Sequence, residues 1–338
     1  MPHFLIIQTA FTGDVVLATA VVEKINSVFP GSKIDFLLRK GNEGLLDNHP
    51  FLNKLWTWDK TESKLRALWD LGLKIRNEQY THVVNLHRFG SSGFITALSG
   101  APYRSGFDKN PFSFFYTRKV KHIISPSMSE APVHELTRNQ WLIADLCGTE
   151  YSFPKLYPSS GDWESVSKYK QGEYICIAPS SVWLTKQFPA DKWVNLIKNF
   201  PENYSIYLLG GRGDKILADY IMKNCQDKNV INLCGVLNFL ASAALMQGAT
   251  MNYTNDSAPL HFATAMDAPV TAVFCSTVPA FGFGPVRENG HVVQIATELS
   301  CRPCGLHGKR SCPENHFKCA LEISNKQLLW WTTATNKI

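Results

Sequence analysis

Four stretches of this sequence place polar side chains where an apolar run gives way to a helical one. They are "QTAFTGDVVLATA", with Gly13 and Asp14; "IAPSSVWLTKQFP", with Ser180, Ser181 and Lys186; "LLGGRGDKILA", with Gly210, Gly211, Gly213 and Asp214; and "TNDSAPLHFATA", with Asp256, Ser257, Ala258 and His261. Hydroxyls, the backbone N–H groups of a helix start and one lysine are suitable partners for a phosphate. A carboxylate is not, yet Asp256 stands one residue ahead of such a helix start. The contradiction resolves if the ligand is a sugar joined to a diphosphate. The N–H groups around Ser257 and Ala258 then meet the diphosphate and Asp256 meets the neutral sugar hydroxyls. His261, one turn into the helix, either lends a hydrogen bond or packs.

Each stretch also has a plainer reading. Asp14 sits at the first turn of a helix, where an acid is a good cap; it is equally placed to act as a general base on a substrate hydroxyl, and spacing does not choose. Lys186 is a solvated loop lysine or a phosphate partner. The glycines at 210, 211 and 213 let backbone approach a ligand or simply turn the chain into a helix capped by Asp214. They do not form G-x-G-x-x-G, so a nicotinamide cofactor is not indicated. Near the end, Cys301, Cys304, Cys312 and Cys319 are spaced C-x2-C-x7-C-x6-C, within the range of a compact tetrathiolate zinc site, with free thiols as the alternative.

Positioning these groups requires a particular order of elements. "HFLIIQ", "DVVLATAVVEKINSVF", "KIDFLLR" and "THVVNLH" alternate short apolar runs with a longer amphipathic one, and "YICIAPS", "DKWVNLIKNF", "SIYLLGG", "DKILADYIMKNC", "TMNYTND", "LHFATAMDA" and "VTAVFCS" repeat the rhythm later. Strand, helix, strand in this order gives parallel βαβ units and an α/β fold of doubly wound sheets, whose ligands sit at the carboxyl ends of the strands. A chain of 338 residues suits two such domains. Residues 150–173, rich in Pro, Ser, Gly and charge, read as the connection, so the boundary is placed near 160, with domains at 1–160 and 161–338. The terminal "SNKQLLWWTTATNKI" is expected to pack on its domain rather than on ligand.

The net charge is +6, with 17 basic and 14 acidic residues in 1–150 and the same numbers in 151–338. Sums so even give no basic tail or block, and no case for nucleic acid. The mild surplus suits anionic small molecules or an anionic membrane surface. No apolar run reaches the roughly 18 residues of a membrane span. Nine cysteines, an odd number, without a secretory signal point to a reducing cytoplasm.

Taken together, these loops resemble those of the bacterial ADP-heptose:lipopolysaccharide heptosyltransferases, glycosyltransferase family 9. The resemblance runs from "TGDVVLATAVVEKI" through "TKQFPADKW", "LLGGRGD" and "NDSAPLHFATA" to the cysteine-bearing tail. It implies the GT-B architecture, two Rossmann-like domains facing a central cleft, and an inverting transfer of a heptose or related sugar from an ADP-sugar to a lipopolysaccharide-core acceptor. On this resemblance Asp14 is the base; Gly13, Ser180, Ser181, Lys186, Gly211, Asp256, Ser257, Ala258 and His261 bind the donor; and Lys186 also steadies the departing diphosphate. A lysine and a helix terminus serve in place of a divalent ion, so catalysis needs no cofactor. The acceptor is an anionic saccharide lipid met by Arg88, Arg104 and Lys109, which places the enzyme in the cytoplasm, in peripheral contact with the inner membrane. The sequence departs from the family where Gln8, Ala20 and Ala258 stand in place of the frequent basic residue, proline and glycine, and no clear equivalent appears for the acid after the middle Gly-rich strand. Two other classes fit the same loops. A non-catalytic sugar-nucleotide-binding protein needs no base at position 14, and an epimerase of similar shape turns over the donor alone.

Overall fold

The computed structural model describes residues 1–60, 64–124 and 132–331. The chain divides into two compact units, Met1–Tyr157 and Pro158–Ile338. In unit 1 the order is β1 (His3–Gln8), α1 (Thr12–Val28), β2 (Lys33–Arg39), β3 (Lys54–Trp58), α2 (Lys64–Asn77), β4 (His82–Asn85), α3 (Gly90–Leu98), β5 (Tyr103–Phe107), β6 (Arg118–Val120), α4 (Glu135–Trp141) and α5 (Ala144–Cys147). In unit 2 it is α6 (Ser160–Ser167), β7 (Tyr174–Ala178), α7 (Ala190–Lys198), β8 (Ser205–Leu208), α8 (Lys215–Lys223), β9 (Val230–Asn232), α9 (Phe239–Gln247), β10 (Met251–Asn255), α10 (Ala258–Ala265), β11 (Val270–Phe274), β12 (Gly290–Gln294), α11 (Lys318–Leu321) and α12 (Asn325–Leu328).

Each unit holds one six-stranded sheet, β3-β2-β1-β4-β5-β6 in the first and β12-β11-β10-β7-β8-β9 in the second. Every pairing is parallel. Parallel strands need helical crossovers, which cover both faces of the sheet, so the inner strands read as unbroken apolar runs. Phe4–Ile7 and Ile175–Ile177 accordingly have almost no exposed surface. The α1 helix is buried on nearly all sides, from Val15 to Val22, which is why its sequence is apolar around its circumference. In β2 a buried acid interrupts this pattern. Asp35, in the middle of β2, accepts hydrogen bonds from Tyr80 Oη at 2.5 Å and Asn53 Nδ2 at 2.9 Å and faces His3 Nε2 at 3.2 Å.

The strand orders place the loops. Sequential connections wind outward in one direction from β1 and in the other from β4, so the loops after these two neighbours diverge and leave a crevice at their carboxyl ends, a topological switch point. Ile7 is in register with Asn85, which sets the Gly13–Asp14 loop beside residues 86–88. In unit 2 the switch lies between β7 and β10, where Ala178 is in register with Thr254. Ser180–Ser181 and Asp256–Ser257 therefore leave adjacent strands, flanked by Gly210–Gly211 after β8 and Ser276–Thr277 after β11.

The described part of the terminal segment packs on its own sheet, as expected. Trp331 Nε1 donates to Tyr253 Oη at 2.7 Å, which donates to the Leu328 carbonyl at 2.7 Å. Trp330 Nε1 donates to Thr271 Oγ1 at 3.2 Å. The last seven residues, 332–338, lie outside the described residues. Among the described residues no helix is long and apolar enough to cross a membrane.

Candidate active site

In unit 2 the expected phosphate lysine and the expected sugar acid meet each other. Lys186 Nζ lies 2.7 Å from Asp256 Oδ2, with both side chains largely withdrawn from water. Thr277 Oγ1 donates to the same oxygen at 2.7 Å. Lys186 has three N–H donors and Asp256 takes one, so the ammonium keeps capacity for an anion without giving up the pair. The carboxylate next to the helix start is thus compensated by a cation that reaches it from a loop 70 residues earlier. The α10 helix begins with Ser257 as its N-cap, whose side chain makes no capping hydrogen bond to the helix, and has a proline in its first turn. The N–H groups of Ser257 and Ala258 belong to the unsatisfied set of a helix start, the feature that binds anions. His261 is buried and packs edge-on against Phe283, with centroids 6.3 Å apart.

The loops around this pair are tied to one another by side chains. Asn255, fully buried at the end of β10, accepts from the Phe188 N–H at 2.8 Å and donates to the Pro179 carbonyl at 2.8 Å, fixing the Lys186 loop to the Ser180 loop. Ser180 Oγ donates to Asp214 Oδ1 at 2.5 Å, and the Gly211 N–H donates to Asp214 Oδ2 at 2.8 Å. Asp214 makes no side-chain capping bond to α8. It folds back over Gly210, where a Cβ would stand 2.7 Å from its Oδ2, so it supplies an acid beside the Gly-rich turn, the neighbourhood in which the sequence showed no clear equivalent. Ser181 contributes its carbonyl, which accepts from Gln187 Nε2 at 2.6 Å.

The cysteine loop lies against this arrangement. The Thr185 N–H donates to the Lys309 carbonyl at 3.1 Å, and the Lys309 N–H donates to Thr185 Oγ1 at 2.7 Å. The Cys304 N–H donates to the Ser276 carbonyl at 2.9 Å. Arg302 reaches under the loop, donating from Nε to the Cys275 carbonyl and from one terminal nitrogen to the Thr277 carbonyl, both at 2.7 Å, and to Gln294 Oε1 at 2.8 Å. Burial, then Cys301 and Cys312, push the Cys304 thiol up, and burial followed by Cys304 raises Cys319 to about 11. Among the described residues, however, no three His, Cys, Asp or Glu side chains are arranged to hold a metal ion.

In unit 1, Asp14 is the third residue of α1 rather than its N-cap, which is Phe11, and Asp14 Oδ2 accepts from the Phe11 N–H at 3.2 Å. Gly13 is buried beside it. Thr9 Oγ1 meets His87 Nδ1 at 3.1 Å across the switch point. Burial, then Lys60 and Arg88, hold His87 at about 4, so its ring is neutral near pH 7. Lys60, which the sequence reading passed over, donates to the Thr9 carbonyl at 2.7 Å. Arg88 lies over the Phe89 ring, and Lys109 is exposed beyond β5, both at the carboxyl side of the sheet. Arg104 is not brought there. It stands in the amino-terminal half of β5 and donates to the carbonyls of Phe115 and Ala101. The other residues that the sequence reading missed as site builders, Asn255, Thr277 and Arg302, act on partners 21 to 76 positions away, beyond any local signal.

Gly308 tests whether the loop positions Lys186. It has φ +77, and a Cβ there would meet Lys186 Cγ at 2.9 Å and Thr185 Oγ1 at 3.0 Å. Gly308→Ala is expected to lower stability by about 1–3 kcal/mol and to weaken ADP binding, followed by thermal denaturation and calorimetry. Unchanged ADP affinity in a destabilised variant would show that the loop does not set the lysine.

Known proteins resemble this chain in sequence and in fold. Lipopolysaccharide heptosyltransferase 3 of Escherichia coli K12 is 26% identical over 296 residues, covering 82% of this chain and 84% of that protein. The solved structure of a family 9 glycosyl transferase from Veillonella parvula superimposes with a TM-score of 0.84 at 19% identity, covering 98% of this chain and 96% of the other. That of the E. coli ADP-heptose lipopolysaccharide heptosyltransferase II gives 0.78 at 18% identity, covering 98% of both chains. The sequence profile described as glycosyltransferase family 9 (heptosyltransferase) matches residues 68–315, and with most of its length so matched the chain belongs to that family of transferases.

Proposed function

We propose that the protein transfers a heptose from ADP-heptose to a saccharide of the lipopolysaccharide core, with inversion at the anomeric carbon. The observation that carries this reading is the Lys186–Asp256–Thr277 cluster at the start of α10, which offers a cation and helix N–H groups to a diphosphate and a carboxylate to a sugar within one small region. The names of its relatives support the choice of sugar and acceptor.

In this mechanism Asp14 takes the proton of an acceptor hydroxyl, whose oxygen forms the new bond to the anomeric carbon. The bond to the diphosphate oxygen breaks on the opposite face and its electron pair leaves with ADP. A single displacement inverts configuration. The charge that develops on the diphosphate is met by Lys186 and the N–H groups of Ser257 and Ala258, fixed before the reaction begins by the Asn255 and Thr185 contacts. An anionic acceptor is met by Arg88 and Lys109. The enzyme works in the cytoplasm against lipid-linked acceptor at the inner membrane.

Asp256→Ala releases Lys186 from its partner while removing the acid offered to the sugar. ADP-heptose binding should weaken and ADP binding should hold or tighten, as read by calorimetry. Equal weakening of both ligands would mean that Asp256 does not address the sugar.

Asp14→Asn keeps an oxygen able to accept from the Phe11 N–H, so melting temperature and donor affinity should hardly move. Turnover should fall roughly a hundredfold to ten-thousandfold, the usual contribution of a positioned base. Near-normal turnover would assign Asp14 to the helix alone.

A further inference from the structure

Unit 1 carries an exposed apolar ridge that the chemistry above does not use. On α2, Leu65, Trp69 and Leu73 follow one another at helical spacing of four and are exposed, Leu65 by 84% and Trp69 by 50%. Trp69 touches Phe94 of α3, with centroids 5.9 Å apart, and Phe94 meets Phe112 edge-on at 6.0 Å. Phe112 stacks with Phe114 at 6.3 Å and Phe115 at 6.5 Å, and these two lie 4.3 Å from each other. Phe114 is 67% exposed and Phe115 46%. The ring contacts are unbroken from the helix to the loop before β6, so these side chains form one surface rather than scattered exceptions.

The charge around the ridge is one-sided. Residues 65–122 contain nine lysines and arginines and three acids, a surplus of +6 that equals the net charge of the whole chain. The other residues balance, 25 against 25. The even sums of the two sequence halves conceal this concentration. Arg66 and Lys74 are exposed on α2 next to the stripe, Lys119 and Lys121 follow the phenylalanine loop, and Arg104 Nε donates to the Phe115 carbonyl at 2.8 Å, putting a cation directly behind the exposed rings.

We propose that this ridge is the surface by which the protein docks on an anionic lipid bilayer. Half-exposed aromatic rings flanked by lysine and arginine suit the boundary between headgroups and acyl chains, where rings enter the apolar side and cations meet anionic lipid. A second copy of the chain is a poor occupant of the same face, because a self-complementary contact would set this surplus of positive charge against itself. The proposal deepens the reading of a lipid-linked acceptor and rests on it for its purpose, though not for its test.

The test is flotation of the full chain with vesicles that contain no glycolipid, made of phosphatidylcholine alone or with phosphatidylglycerol. Binding is expected only with phosphatidylglycerol, and salt should release it. Trp69→Ser combined with Phe114→Ser should reduce partitioning by roughly tenfold, and Arg66→Glu with Lys74→Glu by at least about fivefold. The second pair keeps the test decisive if the first fails to fold. Both variants should retain turnover on a deacylated, soluble acceptor. Equal binding to neutral vesicles, no binding to either kind, variants that bind like the parent, or variants that lose turnover on the soluble acceptor would each overturn the proposal. So would light scattering that shows a dimer dissociated by Trp69→Ser and Phe114→Ser. Failure of the parent to glycosylate the deacylated acceptor, with vesicle binding intact, would count against the functional reading alone.

Discussion

An ammonium and a carboxylate 2.7 Å apart, both largely removed from water, constrain much of what surrounds them in unit 2. Withdrawing two charges from solvent is unfavourable unless geometry and further hydrogen bonds compensate, and removing either partner leaves the other charge stranded. Thr277 supplies one of those bonds, and the backbone behind Thr277 is in turn held by Arg302. Lys186 has no strand or long helix of its own; it ends a three-residue turn, Leu184–Lys186. Its position therefore depends on Asn255 on one side and on the cysteine loop, through Thr185 and Lys309, on the other.

This dependence explains which parts of the site the sequence showed. Gly13–Asp14, Lys186 and Asp256–Ser257 were legible because each sits at a strand-to-helix junction whose residue types have a local meaning. Asn255, Thr277 and Arg302 have no such signature, since their value lies in carbonyls and N–H groups that only the sheet order brings near. Asp214 was read as a cap because it precedes a helix, and it does cap the turn that enters α8 by accepting from the Gly211 N–H, while its other oxygen receives Ser180. Asp14 stands in the first turn of its helix, as read, and caps it from the third helical position by accepting from the N-cap backbone.

The fold was legible to a similar depth. The inner strands β1, β2, β4, β7, β8 and β11 are largely apolar because neighbours cover both faces, and they stand out as runs, whereas β10 is as buried but reads Met-Asn-Tyr-Thr-Asn. β3, β5, β6, β9 and β12 do not stand out. At the sheet edges β9 is three residues long and β6 reads Arg-Lys-Val, because an edge strand pairs on one side only and tolerates polar residues there. β5 owes its place to Gly106, where a Cβ would strike the Tyr116 ring at 2.2 Å, so a residue that weakens strand propensity is required by packing.

Charge is handled oppositely in the two units, and the contrast follows from what each must meet. In unit 2 the lysine of the candidate site is paired with Asp256, which leaves the rest of its three N–H donors for another partner. In unit 1 the stretch 65–122 carries its surplus beside exposed rings, with Arg118 paired to Asp145 at 3.0 Å, and the field extends about a Debye length into solution. A compensated cation selects by geometry at contact, whereas an uncompensated surface acts earlier, by raising the local concentration of whatever negative surface carries the acceptor. Moving the unit 2 arrangement to unit 1 would forfeit that longer reach, and leaving Lys186 as exposed as Lys109 would forfeit the discrimination.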